Sequence, residues 1–363
     1  MRSTENLPES QESNATAEAS AASQSESPGG KVGSVAILGT GRYVPERVLT
    51  NADLEKIVDT TDEWITSRTG IKERRMAADD QATSDLASEA SKNAIEQAGI
   101  DPEEIDLIIV ATISPDMFFP STAAFVQAKI GASNAIAYDI SAACSGYLYA
   151  IQLARQSILM GSVKTALVIG AEKLSTFINW EDRATCVLFG DGAGAMILRG
   201  DEADTDSASG HTVVSTDLGT DGTKTDILKI PGGGSALPLT AENIASRPNT
   251  IYMEGQEVFK QAVTAMSNSC VQAIDKAGLT NDDISLVIAH QANKRIIDAI
   301  SKRLKLGEDQ TYVNVDRFGN TSAASIAIAL DEAHRAGRLN SGDNILLVAF
   351  GAGLTWASAV LRW

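Results

Sequence analysis

The sequence predicts an α/β fold assembled from two similar halves, and three observations point to it. The stretch from Ala94 to Ala111 occurs again from Ala273 to His290, with Ala94, Ile95, Ala98, Gly99, Ile105, Leu107 and Ile109 matched in type by Ala273, Ile274, Ala277, Gly278, Ile284, Leu286 and Ile288. A second echo, read at a shift of 177 positions, pairs Asp139 with Asp316, Ser145 with Ser322, Ala150 with Ala327, Ile151 with Ile328 and Leu153 with Leu330. Short unbroken apolar runs alternate with helical patterns, the signature of mainly parallel sheets covered by helices. Two blocks in the same order and at nearly the same offset imply duplicated α/β halves related by a pseudo-twofold.

The elements follow in chain order. Residues 1–30 are rich in Ser, Glu, Ala and Gln, carry Leu7 almost alone as a large apolar side chain and end in Pro28, Gly29 and Gly30, so a disordered tail is expected. The first half is expected over residues 31–205. In it, 34–38 reads as a short strand, 84–98 carries helical spacing that stops at Gly99, and 107–111 is an apolar run of buried-strand type. The segment 135–140 reads as extended, and about 145–160, apolar on nearly every face, as a buried helix with Cys144 at its N-terminus. Residues 206–250 read as a loop-rich connection and 251–363 as the second half. There 286–289 forms a strand closed by His290, at the carboxyl end where parallel sheets present ligands. An amphipathic helix follows Asn293, and the echo sets Asn320 and Thr321 at the start of the second central helix. Packing about the pseudo-twofold would let Cys144, His290 and Asn320 converge.

Composition narrows the function. A chain of 363 residues with 44% apolar side chains supports a substantial core. Thirty basic against 47 acidic residues give a net charge of −17, which argues against nucleic acid and anionic membranes as partners. The three cysteines, Cys144, Cys186 and Cys270, offer neither a disulfide framework nor metal-ligand spacing. Neither an apolar signal core in the first thirty residues nor a run of eighteen apolar residues occurs, so a cytoplasmic protein is expected. The acidic balance reverses locally from Gln291 to Lys305, where Lys294, Arg295, Lys302, Arg303 and Lys305 face only Asp298. A solvated helix face would show this pattern; so would a docking site for an acidic macromolecule.

Each candidate residue has two readings at this point. Cys144, flanked by Ser141, Ala142, Ala143, Ser145 and Gly146, is either a small buried core residue or a nucleophile whose thiol pKa the helix N-terminus lowers. His290 is either a hydrogen-bonded residue at a strand end or an acid, base or oxyanion donor. Asn320 is either a helix N-cap or an amide donor to an acyl oxygen. His211, in a polar loop, and His334, on a solvated helix face, read as bystanders. Gly39, Thr40 and Gly41 follow a strand, but Val44 breaks the dinucleotide fingerprint. Gly190, Gly192 and Gly194 precede the strand-like 195–198 and not a helix, which disfavours a phosphate cradle.

Several long motifs then fall in one order. They are TNADL at 50–54, TTDEWITSRTGIKERR at 60–75, the surroundings of Cys144 at 142–146, FGDGAGA at 189–195, HQAN at 290–293, GNTSAAS at 319–325, and the segment 349–356. From about Val35 to Trp363 the chain resembles the beta-ketoacyl-acyl-carrier-protein synthase III family, condensing enzymes on the thiolase fold. The resemblance implies a layered αβαβα arrangement and a Cys144, His290 and Asn320 triad. Cys144 would take an acyl group from acyl-CoA; His290 and Asn320 would stabilise the enolate formed as malonyl-acyl-carrier protein loses CO2. Backbone amides of Cys144 and Ala352 would form a second oxyanion hole. It further implies Trp64 and Arg183 about the CoA adenine, Arg68 on phosphate, and Gly255, Gln256 and Asn293 along the pantetheine channel. Lys294 and Arg295 would dock the carrier protein, and Phe119 would close the partner's acyl pocket in a homodimer. No cofactor or metal is implied. Ala352 stands where many members have glycine, and Gln256 where some have asparagine.

Other classes fit less of the sequence. A type III polyketide synthase or related starter-loading enzyme shares the triad, whereas elongating synthases use two histidines, which Asn320 argues against. A papain-type hydrolase shares the order Cys, His, Asn but not its local motif. A catalytically silent thiolase-fold scaffold would have no need for all three residues.

Overall fold

In the computed structural model the described residues are 32–202 and 210–363; the expected N-terminal tail lies outside them. Leu107–Ala111 is a strand buried on both faces, as its unbroken apolar run requires. Leu107, Ile109 and Ala111 point into a central core, while Ile108 and Val110 point into an outer one. Leu286 and Ile288 join the same central core, and Val287 and Ala289 an outer core of their own. The period-2 alternation of a strand thus divides each half into an inner and an outer layer.

The strands are β1 (Val32–Tyr43), β2 (Leu107–Ala111), β3 (Ile136–Ile140), β4 (Thr165–Glu172), β5 (Gly192–Glu202), β6 (Thr212–Thr220), β7 (Leu286–Ala289), β8 (Asn344–Gly351) and β9 (Thr355–Arg362). They form one ladder in the order β7-β8-β9-β6-β1-β5-β4-β2-β3. The first half runs β1-β5-β4-β2-β3 outward from the middle; the second runs β6-β9-β8-β7, and Thr311 bridges beside Val287 where a counterpart of β3 would lie. The halves meet through β1 and β6, at the pair Ala36 and Thr212. Residues 206–250, expected as a connection, therefore contribute the first strand of the second half. The sheet is also mixed: β3, β2 and β4 are parallel, as are β7 and β8, but β5 and β9 run against their neighbours. Only Ala352, Gly353 and Leu354 separate β8 from β9, too short a link for a helical crossover, so that pair must be antiparallel.

Helices α1 (Thr83–Ala98), α2 (Thr122–Ile130), α3 (Gly146–Leu159), α4 (Gly255–Lys276), α5 (Lys294–Leu304) and α6 (Ala324–Arg335) complete the layers. Apolar residues of α1 and α2 pack on the outer face of the first half and those of α4 and α5 on the outer face of the second. Leu148, Ile151 and Ala154 of α3 and Ala327 and Leu330 of α6 share the central core, so these two helices lie between the halves. Gly99, at φ 65°, ends α1 in the left-handed conformation that its position in the sequence predicts. The repeat has a consistent offset of 179 in β2 against β7 and in β4 against β8, and the turns before α3 and α6 carry left-handed Ala143 (φ 46°) and Ser322 (φ 47°) at the same separation. The 177 shift read from the second echo is thus two residues out of register.

The glycine motifs serve this packing. A Cβ on Gly41 would lie 2.3 Å from Ala90 O of α1, and one on Gly194 would lie 2.4 Å from Ala327 Cβ of α6. His211 and His334, read as bystanders, are half-buried and not fully solvated: their rings pack on Trp363 at 4.7 and 5.1 Å between centroids. Gly194→Ala forces β5 away from α6 and is expected to cost about 1–3 kcal/mol. Urea denaturation should show a lower midpoint with an unchanged slope; an unmoved midpoint would refute this account of the close approach.

Candidate active site

The three turns that end β3, end β7 and precede α6 open on one cavity of roughly 1230 Å³. Cys144 lies in the short 3-10 turn Ala143–Ser145 that leads into α3. Thr355 Oγ1 donates to Ala142 O at 2.9 Å and Ser145 Oγ to Thr355 O at 3.1 Å, fastening this turn to β9. Among the described residues nothing accepts the N–H of Cys144 or of Ala352, and both residues line the cavity. The expected fall in the thiol pKa does not result. Burial pushes Cys144 up to about 12, and the Glu172 carboxylate adds to the rise.

His290 is held by its own backbone, its N–H donating to Val348 O at 2.7 Å. Gln291 fastens the turn: its Nε2 donates to Ala289 O and Tyr312 O, and its Oε1 accepts the N–H groups of Asn314 and Val315. Burial lowers the His290 pKa to about 3, so the ring is neutral at physiological pH. Its Nδ1 lies 2.6 Å from Ser325 Oγ. Asn320 is tied to the first half by a parallel bridge to Phe189, its N–H donating to Leu188 O and its C=O accepting from Gly190 N–H. The Asn320 Oδ1 accepts the Ser322 N–H at 2.8 Å, which fixes the amide orientation and leaves both Nδ2 protons for the cavity.

The remaining predicted positions divide. Trp64, Arg68, Gly255, Gln256, Asn293 and Arg295 line the same cavity. Arg183 stands outside its wall but stacks on Trp64, its Cζ 5.1 Å from the ring centroid and that of Arg68 4.7 Å away. The Asn293 side chain is already engaged at both ends, capping α5 through Arg295 N–H and donating to Arg68 O. Lys294 is exposed and paired with Asp298 at 2.8 Å. Phe119 is 84% exposed, beside Phe118 at 85%, away from the cavity.

Sequence reasoning passed over Glu172. It ends the otherwise apolar strand β4, fully buried, accepting hydrogen bonds from Thr112 Oγ1, Ser114 Oγ and Ile113 N–H. Burial pushes its carboxyl up to about 7, against those hydrogen bonds. A carboxylate closing a strand of seven uncharged residues was the available signal. Among the described residues no cluster of three or more His, Cys, Asp or Glu side chains is placed to hold a metal, and no helix is long and apolar enough to cross a membrane.

The layered α/β halves and the cavity at the turns that precede their central helices define a thiolase-like protein. A family model described as 3-oxoacyl-[acyl-carrier-protein (ACP)] synthase III matches residues 138–222, and its C-terminal counterpart matches 274–363. The beta-ketoacyl-[acyl-carrier-protein] synthase III of Caldanaerobacter subterraneus subsp. tengcongensis is 58% identical over 327 residues, 90% of this chain and 97% of that protein. The enzyme of the same name from Clostridioides difficile is 52% identical over 327 residues, 90% and 98% of the two chains. The crystal structure of 3-oxoacyl-[acyl-carrier-protein] synthase III from Aquifex aeolicus matches with a TM-score of 0.82 at 47% identity, covering 91% of this chain and all of that one. The priming beta-ketosynthase of the R1128 polyketide pathway matches with a TM-score of 0.84 at 34% identity, covering 93% and 98%. The chain belongs to the beta-ketoacyl-[acyl-carrier-protein] synthase III family.

The raised carboxyl of Glu172 has a pH signature. The folded group holds its proton to higher pH than the unfolded one, so its contribution to stability is complete below about pH 4.5, the ordinary value for a glutamate, and is lost as pH rises through about 7. Glu172→Gln removes that loss. Relative to the parent, the variant should gain up to about 3 kcal/mol of unfolding free energy between pH 4.5 and roughly pH 8. A difference that stays constant with pH would contradict this.

Proposed function

We propose that the protein joins a short acyl group from acyl-CoA to malonyl-acyl-carrier protein, giving beta-ketoacyl-acyl-carrier protein, CoA and CO2 as the initiating condensation of fatty-acid synthesis. Cys144 sulfur attacks the acyl-CoA carbonyl, the bond from carbonyl carbon to CoA sulfur breaks, and the thiol proton departs with CoA. The amides of Cys144 and Ala352 hold the oxyanion. Malonyl-acyl-carrier protein then binds, and its bond to the carboxylate carbon breaks as CO2 leaves. The electron pair stays on the α-carbon as an enolate whose oxygen receives hydrogen bonds from His290 and Asn320. The α-carbon attacks the acyl carbonyl, the bond from that carbon to Cys144 sulfur breaks, and the released thiolate takes a proton from solvent to restore the thiol. Decarboxylation itself supplies the nucleophile, so the sequence as written calls for no hydride carrier or metal.

The observation that carries this reading is a neutral, buried His290 and an Asn320 whose oxygen is already occupied, both lining the cavity that Cys144 lines. That pair presents donors to a carbonyl oxygen and no strong base. The stack of Arg68, Trp64 and Arg183 supports an adenine and phosphate site at the mouth, with Gly255, Gln256 and Asn293 along the approach to Cys144. Exposed Lys294, Arg295, Lys302, Arg303 and Lys305 on and just beyond α5 support docking of an acidic carrier protein. Exposed Phe118 and Phe119 support a homodimer, measurable as a doubled mass in light scattering. Three free cysteines fit a cytoplasmic setting. The 34% identity with a priming ketosynthase favours one second reading, the same chemistry serving to load a polyketide starter.

Mass spectrometry after mixing with a panel of acyl-CoAs should place one acyl mass on the Cys144 peptide, discharged as beta-ketoacyl carrier when malonyl-acyl-carrier protein is added. Cys144→Ala should stay unacylated. Asn320→Ala should acylate yet condense about 10²- to 10³-fold more slowly. A Cys144 that no acyl-CoA modifies, or whose acyl group only hydrolyses, would overturn the assignment.

A further inference from the structure

Serines inside the helices of this chain commonly return their hydroxyl to the carbonyl four residues back: Ser88 to Ser84, Ser91 to Ala87, Ser157 to Leu153, Ser267 to Val263 and Ser301 to Ile297. Ser325, in the first turn of α6 and 2% exposed, departs from that habit. Its Oγ lies 2.6 Å from His290 Nδ1 and accepts the Gln291 N–H at 3.4 Å. A hydroxyl has one proton to give. The Gln291 N–H is a donor, and among the described residues Ser325 Oγ makes no hydrogen bond besides these two. The serine proton therefore goes to His290 Nδ1. If Nδ1 carried the ring proton instead, Ser325 Oγ would accept it and the buried serine O–H would be left without an acceptor.

We propose that Ser325 is a positioning residue that fixes His290 as the Nε2–H tautomer, so the imidazole meets the thioester oxygen as a hydrogen-bond donor and does not take the Cys144 proton. Neutrality of the ring, enforced by burial, is consistent with this, since one ring proton must then choose between two nitrogens. The chain runs from Gln291 N–H to Ser325 Oγ, from Ser325 O–H to Nδ1, and from Nε2–H to the cavity that His290 lines. Gln291 is itself pinned by four hydrogen bonds, so the chain has a fixed origin. During decarboxylation the Nε2–H stays on nitrogen while the enolate oxygen gains charge, and no proton need move. The inference rests on the condensing reaction proposed above for its consequence, but not for the tautomer.

The test uses the full chain with nitrogen-15-labelled histidine. The chain has three histidines, so loss of one signal set in His290→Gln assigns the ring. In the parent protein Nδ1 should resonate as an unprotonated ring nitrogen and Nε2 as a protonated one. Ser325→Ala should shift His290 toward a mixture of tautomers, and Ser325→Thr, which keeps the hydroxyl, should restore it. In kinetics Ser325→Ala should acylate Cys144 within about twofold of the parent, while kcat for condensation falls about 10- to 100-fold at a nearly constant KM for the carrier substrate, a smaller loss than deleting a donor outright. A protonated Nδ1 in the parent would overturn the proposal, as would a Ser325→Ala protein with the parent's tautomer and condensation rate. The parent spectrum needs no variant, so it decides even if Ser325→Ala fails to fold. A parent that shows the Nε2–H tautomer but does not condense would sink the functional reading alone.

Discussion

The site depends on how closely the backbones of the two central helices approach the strands around them. A Cβ on Gly170 would lie 2.3 Å from Ala323 O, one on Gly351 would lie 2.6 Å from Cys144 N, and one on Gly146 would lie 3.0 Å from Ala111 Cβ. Backbones can come this near only where one partner lacks a side chain. These contacts fix the start of α3 against β8 and the start of α6 against β4, which brings the turn of Cys144 and the turn of Asn320 to one cavity. The left-handed Ala143 and Ser322 in those turns each cost about 1–3 kcal/mol, offset by the surrounding packing.

On that frame the polar groups are held before any substrate arrives. Asn320 Oδ1 is occupied by Ser322 N–H, His290 Nδ1 by Ser325, and the Glu172 carboxyl by two hydroxyls and a backbone amide. Groups fixed in this way spend little reorganisation when charge develops beside them, and the low polarity of the cavity magnifies each interaction. The same burial explains why the histidine is neutral, why the thiol keeps its proton and why Glu172 titrates near neutrality. One physical cause, removal from water, sets all three protonation states.

Much of this was legible in the chain. The 107–111 and 286–289 runs became buried strands, Gly99 ended its helix, and the segment apolar on nearly every face became a central helix, because hydrophobic period and a left-handed stop are local properties. The second echo slipped by two residues, since a helix built from Ala, Ile, Leu and Ser matches itself at several shifts. The opposite outcome for the Cys144 pKa has a similar origin. A helix N-terminus is visible in sequence, whereas the burial that outweighs it comes from strands and turns far along the chain.

By itself, the sequence determined the duplicated α/β architecture, the positions of Cys144, His290 and Asn320 at element ends, and the basic run on the helix after Asn293. These follow from periodicity, spacing and charge, each confined to a few neighbouring residues. Tertiary structure alone decided that β6 belongs to the second half, that His211 and His334 pack on Trp363, and that Glu172, Ser322 and Ser325 attend the site. Those relations join residues tens to hundreds of positions apart. Which way a hydroxyl or carboxylate points is fixed by the rotation of its helix or strand against the rest, which no local pattern records.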